Sequence, residues 1–519
     1  MNNENFVVGV IGAGTMGQGI VQLALQAGHN VILVDQSSEQ LQSAQSSLDD
    51  LFTKFVKKQK ITQQQKDSWL DALALSENNN ELIDAKLVIE AIVERLDVKQ
   101  QVFSELESIV SSETILATNT SSLSVTAIAS SLKNPQRFIG LHFFNPPGIM
   151  PLVEVIEALQ TEDNTTQTSI KLMESWGKSP VRCKNTPGFI VNRVARPFYV
   201  ESFRLLEEQI TTPAHLDASI RSAGFKMGPC ELTDFIGQDI NYAVSCSLFD
   251  SLFYPAHLRP SYVQGGLVEA GFLGRKSGKG FYDYSETSAN QNNDKGNKVI
   301  SSQSSEGAVG FLAYGHHPWV AEQLDNKEAK GNKETKGNDD SSLIKEAPLT
   351  ESLIGILDNH IHLYASDGRL AADWEASLQI PVILVDIKHP DKQSGVVATA
   401  AGPKAAALMA GNLPQSLGKI DWIEVADCPG LINLRVLSMI INEASICVTQ
   451  GIATPEGIDS ALKGGVNYPL GAFEWLDFIG VDIVINTLSA LRRMYGSGSY
   501  VVPRILAIQA NKEHSDGSQ

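Results

Sequence analysis

Two groups of residues in this sequence carry the types and spacing that chemistry needs. Gly12, Gly14 and Gly17 form GxGxxG within GAGTMG, directly after the apolar run VVGVIG and before QGIVQLALQAG, and Asp35 closes the following run, HNVILVD. In such a turn the first glycine permits the bend, the second lets backbone amides approach a pyrophosphate, and the third lets helix pack on strand. Set between a strand and a helix, with an acidic residue ending the next strand, the pattern points to a dinucleotide. Asp35 would accept hydrogen bonds from ribose hydroxyls and repel a 2′-phosphate, which favours NAD over NADP. The second group lies in HFFNPPGIMPLVEVIE, where His142 ends one strand and Glu154 sits in another. A carboxylate beside an imidazole orients the ring and favours its protonated form, so such a pair can take a proton from an alcohol while hydride leaves the same carbon. Spacing alone is equally consistent with a core histidine and a solvated glutamate.

These residues need a scaffold that brings strand ends together. The first thirty-five residues read strand, turn, helix, strand. A stretch from about Ser38 to Leu82 reads as helical, with Leu41, Leu48, Leu51, Phe52 and Phe55 at helical spacing and Lys54, Lys57, Lys58 and Lys60 clustered. Short apolar runs follow at KLVIEAIV, TILATNT, RFIGLHFF and PLVEVIEAL. The expectation is an open α/β sheet of the Rossmann type over residues 1–185. After Pro187 the pattern turns helical, which predicts a helical domain over 186–285. Polar stretches at 286 to about 304 and at 326–342 read as linkers.

A repeat shapes the rest of the chain. ITTPAHLDASIRSAGFKMGPCELTDFIGQDI from Ile210 aligns with IATPEGIDSALKGGVNYPLGAFEWLDFIGVDI from Ile452, and PGFIVNR from Pro187 with PGLINLR from Pro429. The helical domain is therefore expected twice, the second copy spanning 426–510. Residues 286–425 are expected to hold a linker and a reduced, degenerate α/β segment, with no complete glycine fingerprint. Leu434 stands where the first copy has Asn192, so the second copy is not expected to be a second active site.

The chain has 519 residues and a formal net charge of −18. That balance disfavours nonspecific nucleic-acid binding, because a phosphate polymer would be repelled. No apolar run approaches the roughly 20 residues that span a bilayer. The first strand begins after five residues with no basic region before it, so a secretory signal is not expected. Five scattered cysteines lack zinc-site or disulfide spacing. A cytoplasmic protein without a metal is expected.

The series GAGTMG, EAIVERLDVK, ATNTSSLS, GLHFFNP, PLVEVI, TPGFIVNR and GRKSGKGFYDY, in that order, resembles the 3-hydroxyacyl-CoA dehydrogenase family. The likeness covers residues 1 to about 285 closely and the second helical copy more loosely. It implies NAD-dependent, reversible oxidation of a (3S)-3-hydroxyacyl-CoA to the 3-oxoacyl-CoA. His142 would be the general base and Glu154 its partner, with Ser121 and Asn192 beside the substrate oxygens. Cofactor contacts would come from Gly12, Gly14, Thr15, Met16, Gly17, Asp35, Glu94, Lys99, Ser121, Asn145 and Lys276, and Lys58 would meet coenzyme A. The tandem form resembles bacterial enzymes of phenylacetate catabolism, which implies 3-hydroxyadipyl-CoA, although 3-hydroxybutyryl-CoA and fatty-acid β-oxidation fit as well. Single-copy relatives dimerise through the helical domain, so two copies imply either an intrachain pseudo-dimer or a homodimer. Two rival readings are a dehydrogenase of another small hydroxy acid and a non-catalytic NAD-binding assembly subunit.

Overall fold

In the computed structural model the described residues are 6–285, 311–313, 353–357, 360–392, 394–409, 416–417, 420–496 and 498–516. The expected linkers, 286–304 and 326–342, lie outside them. Contacts divide the chain into two units, Met1–Arg193 with Cys447–Asn467, and Val194–Ile446 with Tyr468–Gln519.

In the first unit, the apolar runs become one sheet: β1 (Val7–Ile11), β2 (Asn30–Val34), β3 (Leu73–Ser76), β4 (Leu87–Glu90), β5 (Ile115–Thr118), β6 (Phe138–Phe143), β7 (Leu152–Glu157) and β8 (Ser179–Lys184). Their order is β3-β2-β1-β4-β5-β6-β7-β8. Every neighbouring pair is parallel except β6 and β7. The helices are α1 (Thr15–Gln26), α2 (Ser38–Lys57), α3 (Gln63–Asp71), α4 (Leu96–Ile109), α5 (Val125–Ala129), α6 (Asp163–Ser175) and the single turn α7 (Val191–Val194). Because β1, β4, β5 and β6 run the same way, the segments following them all leave at one edge. The order reverses beside β1, and in doubly wound sheets ligands bind in the crevice outside the strand ends at that reversal.

The segment expected to be helical from Ser38 to Leu82 is instead two helices and a strand. Ser37 caps α2 through the Gln40 amide, and a Thr62–Gln65 capping box starts α3. The chain then turns at Ala72, and Leu73–Ser76 pairs with Val31–Val34 of β2. Leu73 and Leu75 still pack against the core that helical leucines would have covered, so an apolar count does not separate the two conformations. Pairing with β2 does.

The opposite edge of this sheet is closed by a distant part of the chain. The helix Pro455–Val466, from the second repeat, packs on β7 and β8, and Lys184 donates its backbone N–H to Ile452 (3.1 Å).

The second unit contains the first helical copy, α8 (Arg196–Glu207), α9 (Pro213–Ser222), α10 (Pro229–Ile236), α11 (Gln238–Ser251) and α12 (Tyr262–Glu269). Its sheet runs β14-β15-β13-β12-β11-β10-β9, from β9 (Phe311–Ala313), β10 (Leu353–Leu357), β11 (Ile361–Ala365), β12 (Val382–Val385), β13 (Gly395–Ala401), β14 (Ser416–Leu417) and β15 (Ile420–Glu424), with α13 (Ala371–Leu378) and α14 (Pro403–Met409) between strands. The second copy is α15 (Asn433–Thr449), α16 (the Pro455–Val466 helix of the first unit), α17 (Ala472–Ile479), α18 (Val481–Tyr495) and α19 (Arg504–Asp516). The intervening segment is thus a mixed seven-stranded sheet among the described residues, fuller than a reduced segment implies.

Within this unit the two copies meet through buried charge. Arg435 of PGLINLR bonds Glu201 of α8 (2.7 Å) and Glu208 (3.0 Å), and Tyr500 donates to Glu201 (2.9 Å). Burial opposes both charges, yet the adjacent guanidinium groups of Arg435 and Arg204 hold Glu201 below the usual carboxylate range. α9 packs on β13, and Ala426 donates its N–H to Ile210 (3.3 Å). Ala426 stands to Ile210 as Lys184 stands to Ile452, so in each unit a helix of the other copy packs on the sheet.

Candidate active site

The glycine turn is built as a cradle. A Cβ on Gly17 would lie 1.8 Å from the Gly12 carbonyl oxygen, and Gly12 has φ +104° with the Ala91 carbonyl 2.5 Å from where its Cβ would be. Neither position admits a side chain. Gly14 differs: nothing lies within 4 Å of a Cβ placed there, and its φ of −71° suits any residue. Protein packing does not demand glycine at that point, whereas a ligand approaching the backbone would. Beyond it, α1 starts at Thr15 and Met16 with no side-chain cap, leaving first-turn N–H groups directed outward as an anion site. Asp35 accepts the N–H of Ala13 (2.8 Å) and of Ser37 (3.0 Å) through different oxygens, tying the glycine turn to the end of β2.

Beside this turn a carboxylate network spans the ends of β4 and β5. Buried Lys99 bridges Glu90 (2.5 Å) and Glu94 (3.1 Å). Glu94 accepts from the Thr120 hydroxyl (2.5 Å) and from the backbone N–H groups of Ser121 (3.0 Å) and Ser122 (3.1 Å). Burial works to raise its pKa, but the Thr120 hydrogen bond and the Lys99 charge outweigh burial and hold it below the ordinary value. Lys99 is buried while Glu94 keeps an exposed face, and together they shape the loop that presents Ser121. Asn192, the second residue of α7 and not a helix cap, reaches that loop from the other side, its Nδ2 lying 3.4 Å from the Ser121 carbonyl oxygen.

His142 and Glu154 face each other directly across the antiparallel β6–β7 pair. His142 Nδ1 lies 2.7 Å from Glu154 Oε2. Facing an ionised carboxylate, which only accepts, Nδ1 is the donor, and in the neutral form of such an imidazole Nε2 is the nitrogen with the lone pair. The other oxygen, Oε1, accepts the N–H groups of Ile190 (3.0 Å) and Val191 (2.9 Å). Those amides point inward because the TPGF turn runs through left-handed backbone at Gly188 (φ +76°) and Phe189 (φ +47°). Phe144 and Phe189 flank the imidazole, with ring centroids 4.5 and 5.9 Å away. Phe143 donates its N–H to Asn119 Oδ1 (2.9 Å), fixing the end of β6. The following loop begins with exposed Asn145 and is pinned by Lys178, whose ammonium donates to the Pro147 and Met150 carbonyls; burial pushes that ammonium down to about 8.

The sheet thus gathers the glycine turn, Asp35, Glu94, Lys99, Ser121, Asn145, His142 and Glu154 at consecutive strand ends. Lys58 is exposed at the C-cap of α2. Lys276 belongs to the second unit, where it forms an ion pair with Asp239 (2.5 Å). Sequence reasoning missed Glu90, Thr120, Lys178 and the Ile190 and Val191 amides. Glu90 and Thr120 had a weak signal, a polar residue inside or just after an apolar strand, but backbone donors have no sequence signature. Among the described residues no His, Cys, Asp and Glu cluster could hold a metal.

The profile of the 3-hydroxyacyl-CoA dehydrogenase NAD binding domain matches residues 7–186, and that of the 3-hydroxyacyl-CoA dehydrogenase C-terminal domain matches twice, at 188–284 and 430–515. The chain belongs to the 3-hydroxyacyl-CoA dehydrogenase family. It is 40% identical over 494 residues, 95% of each chain, to the 3-hydroxyadipyl-CoA dehydrogenase of Escherichia coli K12. It is 38% identical to the human mitochondrial hydroxyacyl-coenzyme A dehydrogenase over 285 residues, 53% of this chain and 90% of that one. A crystal structure of a 3-hydroxybutyryl-CoA dehydrogenase from E. coli K12 superposes with a TM-score of 0.80 at 37% identity, covering 99% of both chains.

The dehydrogenase uses NAD to oxidise a 3-hydroxyacyl-CoA, and its glycine cradle fits that cofactor's pyrophosphate. Since open space surrounds the Gly14 Cβ position, Gly14→Ala is expected to lower the melting temperature by only a few degrees, in line with a cost of at most about 1 kcal/mol. The same variant should weaken NADH binding about tenfold by fluorescence titration; unchanged affinity would contradict the cradle.

Proposed function

We propose that His142 is the general base and acid of the reaction and that Glu154 holds it in place, because the dyad leaves Nε2 as the acceptor beside the strand ends that carry the cofactor turn. In the oxidative direction Nε2 takes the proton of the substrate 3-hydroxyl, while the nicotinamide, when bound, accepts the hydride from C3. Glu154 balances the imidazolium that forms, and its two backbone donors keep the carboxylate from swinging away. Ser121 and Asn192, whose Nδ2 lies 3.4 Å from the Ser121 carbonyl oxygen, hold the substrate oxygens in this reading. The four lysines at the end of α2, Lys58 among them, offer a local cationic patch for coenzyme A phosphates in an otherwise acidic protein. None of the five cysteines forms a disulfide, which fits a cytoplasmic setting. No described helix is long and apolar enough to cross a membrane.

A non-catalytic cofactor-binding role has nothing to gain from a buried histidine paired this way. His142→Gln is expected to bind NADH within about twofold of the native enzyme and to lose turnover by about 10³-fold, within the range for general acid–base groups. Near-normal turnover of a folded His142→Gln protein in the acetoacetyl-CoA reduction assay would defeat the assignment.

For the acyl chain, a dicarboxylic substrate is the proposal, supported by the likeness to the 3-hydroxyadipyl-CoA dehydrogenase of E. coli, matched over 95% of both chains. Higher kcat/KM for 3-hydroxyadipyl-CoA than for 3-hydroxybutyryl-CoA is expected. The reverse order would favour a short-chain enzyme, and turnover of free hydroxy acids would remove the coenzyme A thioester from the reading altogether.

A further inference from the structure

Gly465 lies in the last turn of α16, on a part of the second repeat that belongs to the first unit. A Cβ there would meet Leu152 Cδ2 at 2.6 Å, Val191 Cγ2 at 3.2 Å and Phe144 Cε1 at 3.5 Å. Each of these side chains is one step from the dyad. Leu152 opens β7, the strand carrying Glu154; Val191 donates its N–H to Glu154; the Phe144 ring packs on His142.

No backbone requirement accounts for this glycine. Gly465 does not have the positive φ that favours glycine; the left-handed position after α16 is taken by Asn467, at φ +55°. Glycine is a poorer helix former than alanine, so Gly464 and Gly465 side by side weaken α16 locally. The repeat supplies an internal control. Ser222 and Ala223 occupy the aligned places in the first copy, whose helix α9 packs on β13 of the other sheet. Only the copy lying on the sheet with the His142–Glu154 pair carries the two glycines, and only Gly465 of the two is crowded: Gly464 has ordinary contacts, its Cβ position being 3.5 Å from Leu152 and Pro151.

We infer that Gly465 is a positioning residue for the His142–Glu154 dyad, through which the second helical repeat, itself without a dyad, sets the geometry of the active site in the first unit. The close approach of α16 presses Leu152, Val191 and Phe144 into the places from which they hold the carboxylate and the ring. The inference rests on the proposed catalytic role of His142 and Glu154.

The test compares Gly465→Ala, Gly464→Ala and His142→Gln in the full-length enzyme, with kcat normalised to NADH-binding sites. Gly465→Ala is expected to lower kcat about tenfold, as small displacements of reacting groups do. The KM for acetoacetyl-CoA and NADH affinity should stay within about twofold, and Gly464→Ala should keep native kcat. Leu152→Ala in the Gly465→Ala background removes the most crowded atom, so part of the lost kcat should return. A folded Gly465→Ala enzyme with native kcat, or equal losses in Gly464→Ala and Gly465→Ala, would overturn the inference. Should Gly465→Ala fail to fold, the double variant carries the test: a folded protein with kcat below native supports relief of crowding, and an equally unfolded protein or a native kcat counts against it. Native activity in His142→Gln would instead refute the dyad itself.

Discussion

A carboxylate with no solvent exposure must be satisfied by the protein, and Glu154, at 0% exposure, imposes that condition on everything around it. Its demands are met by three donors from two places: the imidazole across the β6–β7 pair and two successive amides of the TPGFIVNR turn. An unsatisfied buried charge would cost several kcal/mol, which fixes the β6–β7 register, because a one-residue slip would turn Glu154 to the other face. It also accounts for the left-handed backbone at Gly188 and Phe189. The second copy repeats the device with different chemistry. Gly430 and Leu431 are again left-handed (φ +75° and +51°), and Asp386, after β12, accepts the N–H groups of Ile432, Asn433 and Leu434. There, among the described residues, the carboxylate's hydrogen bonds all come from backbone amides, that of Ile387 included; the same turn serves as a fastening.

A second layer of buried charge supports the first. Lys99 joins Glu90 and Glu94 beneath the loop that presents Ser121, and Arg435 joins Glu201 and Glu208 where the helical copies meet. In both places removing one partner would strand another charge away from water, which is more costly than the pair itself is stabilising. The ion pairs therefore serve geometry more than stability: one sets a loop at the strand ends, the other the register between repeats.

Much of this was legible in the residues. GxGxxG with Asp35 located the first βα unit because each glycine answers a local steric demand, and the alternation around Glu154 placed it on a strand. The repeat was visible because both copies carry a Pro-Gly turn, at Pro187 and Pro429, followed by a helix that begins Thr-Pro, capped by Thr212 and Thr454. What was not legible depends on distance in the chain. Leu73 and Leu75 look alike on a helix or a strand until β2 is there to pair with them. Lys99 reads as a surface lysine until Glu90 and Glu94 close around it. The donors to Glu154 are backbone amides, and the helix behind β7 comes from more than 250 residues downstream, so no local pattern could announce either.

The central claim is that a carboxylate, fixed by two amides, directs the imidazole. Glu154→Gln probes it most directly, since a glutamine cannot accept from the Ile190 and Val191 amides and the imidazole Nδ1–H while placing its own amide group without conflict. Single-turnover hydride transfer, followed by NADH absorbance after mixing with acetoacetyl-CoA, should slow by at least about 10²-fold, with NADH affinity preserved. A Glu154→Gln enzyme that transfers hydride at the native rate would contradict the account.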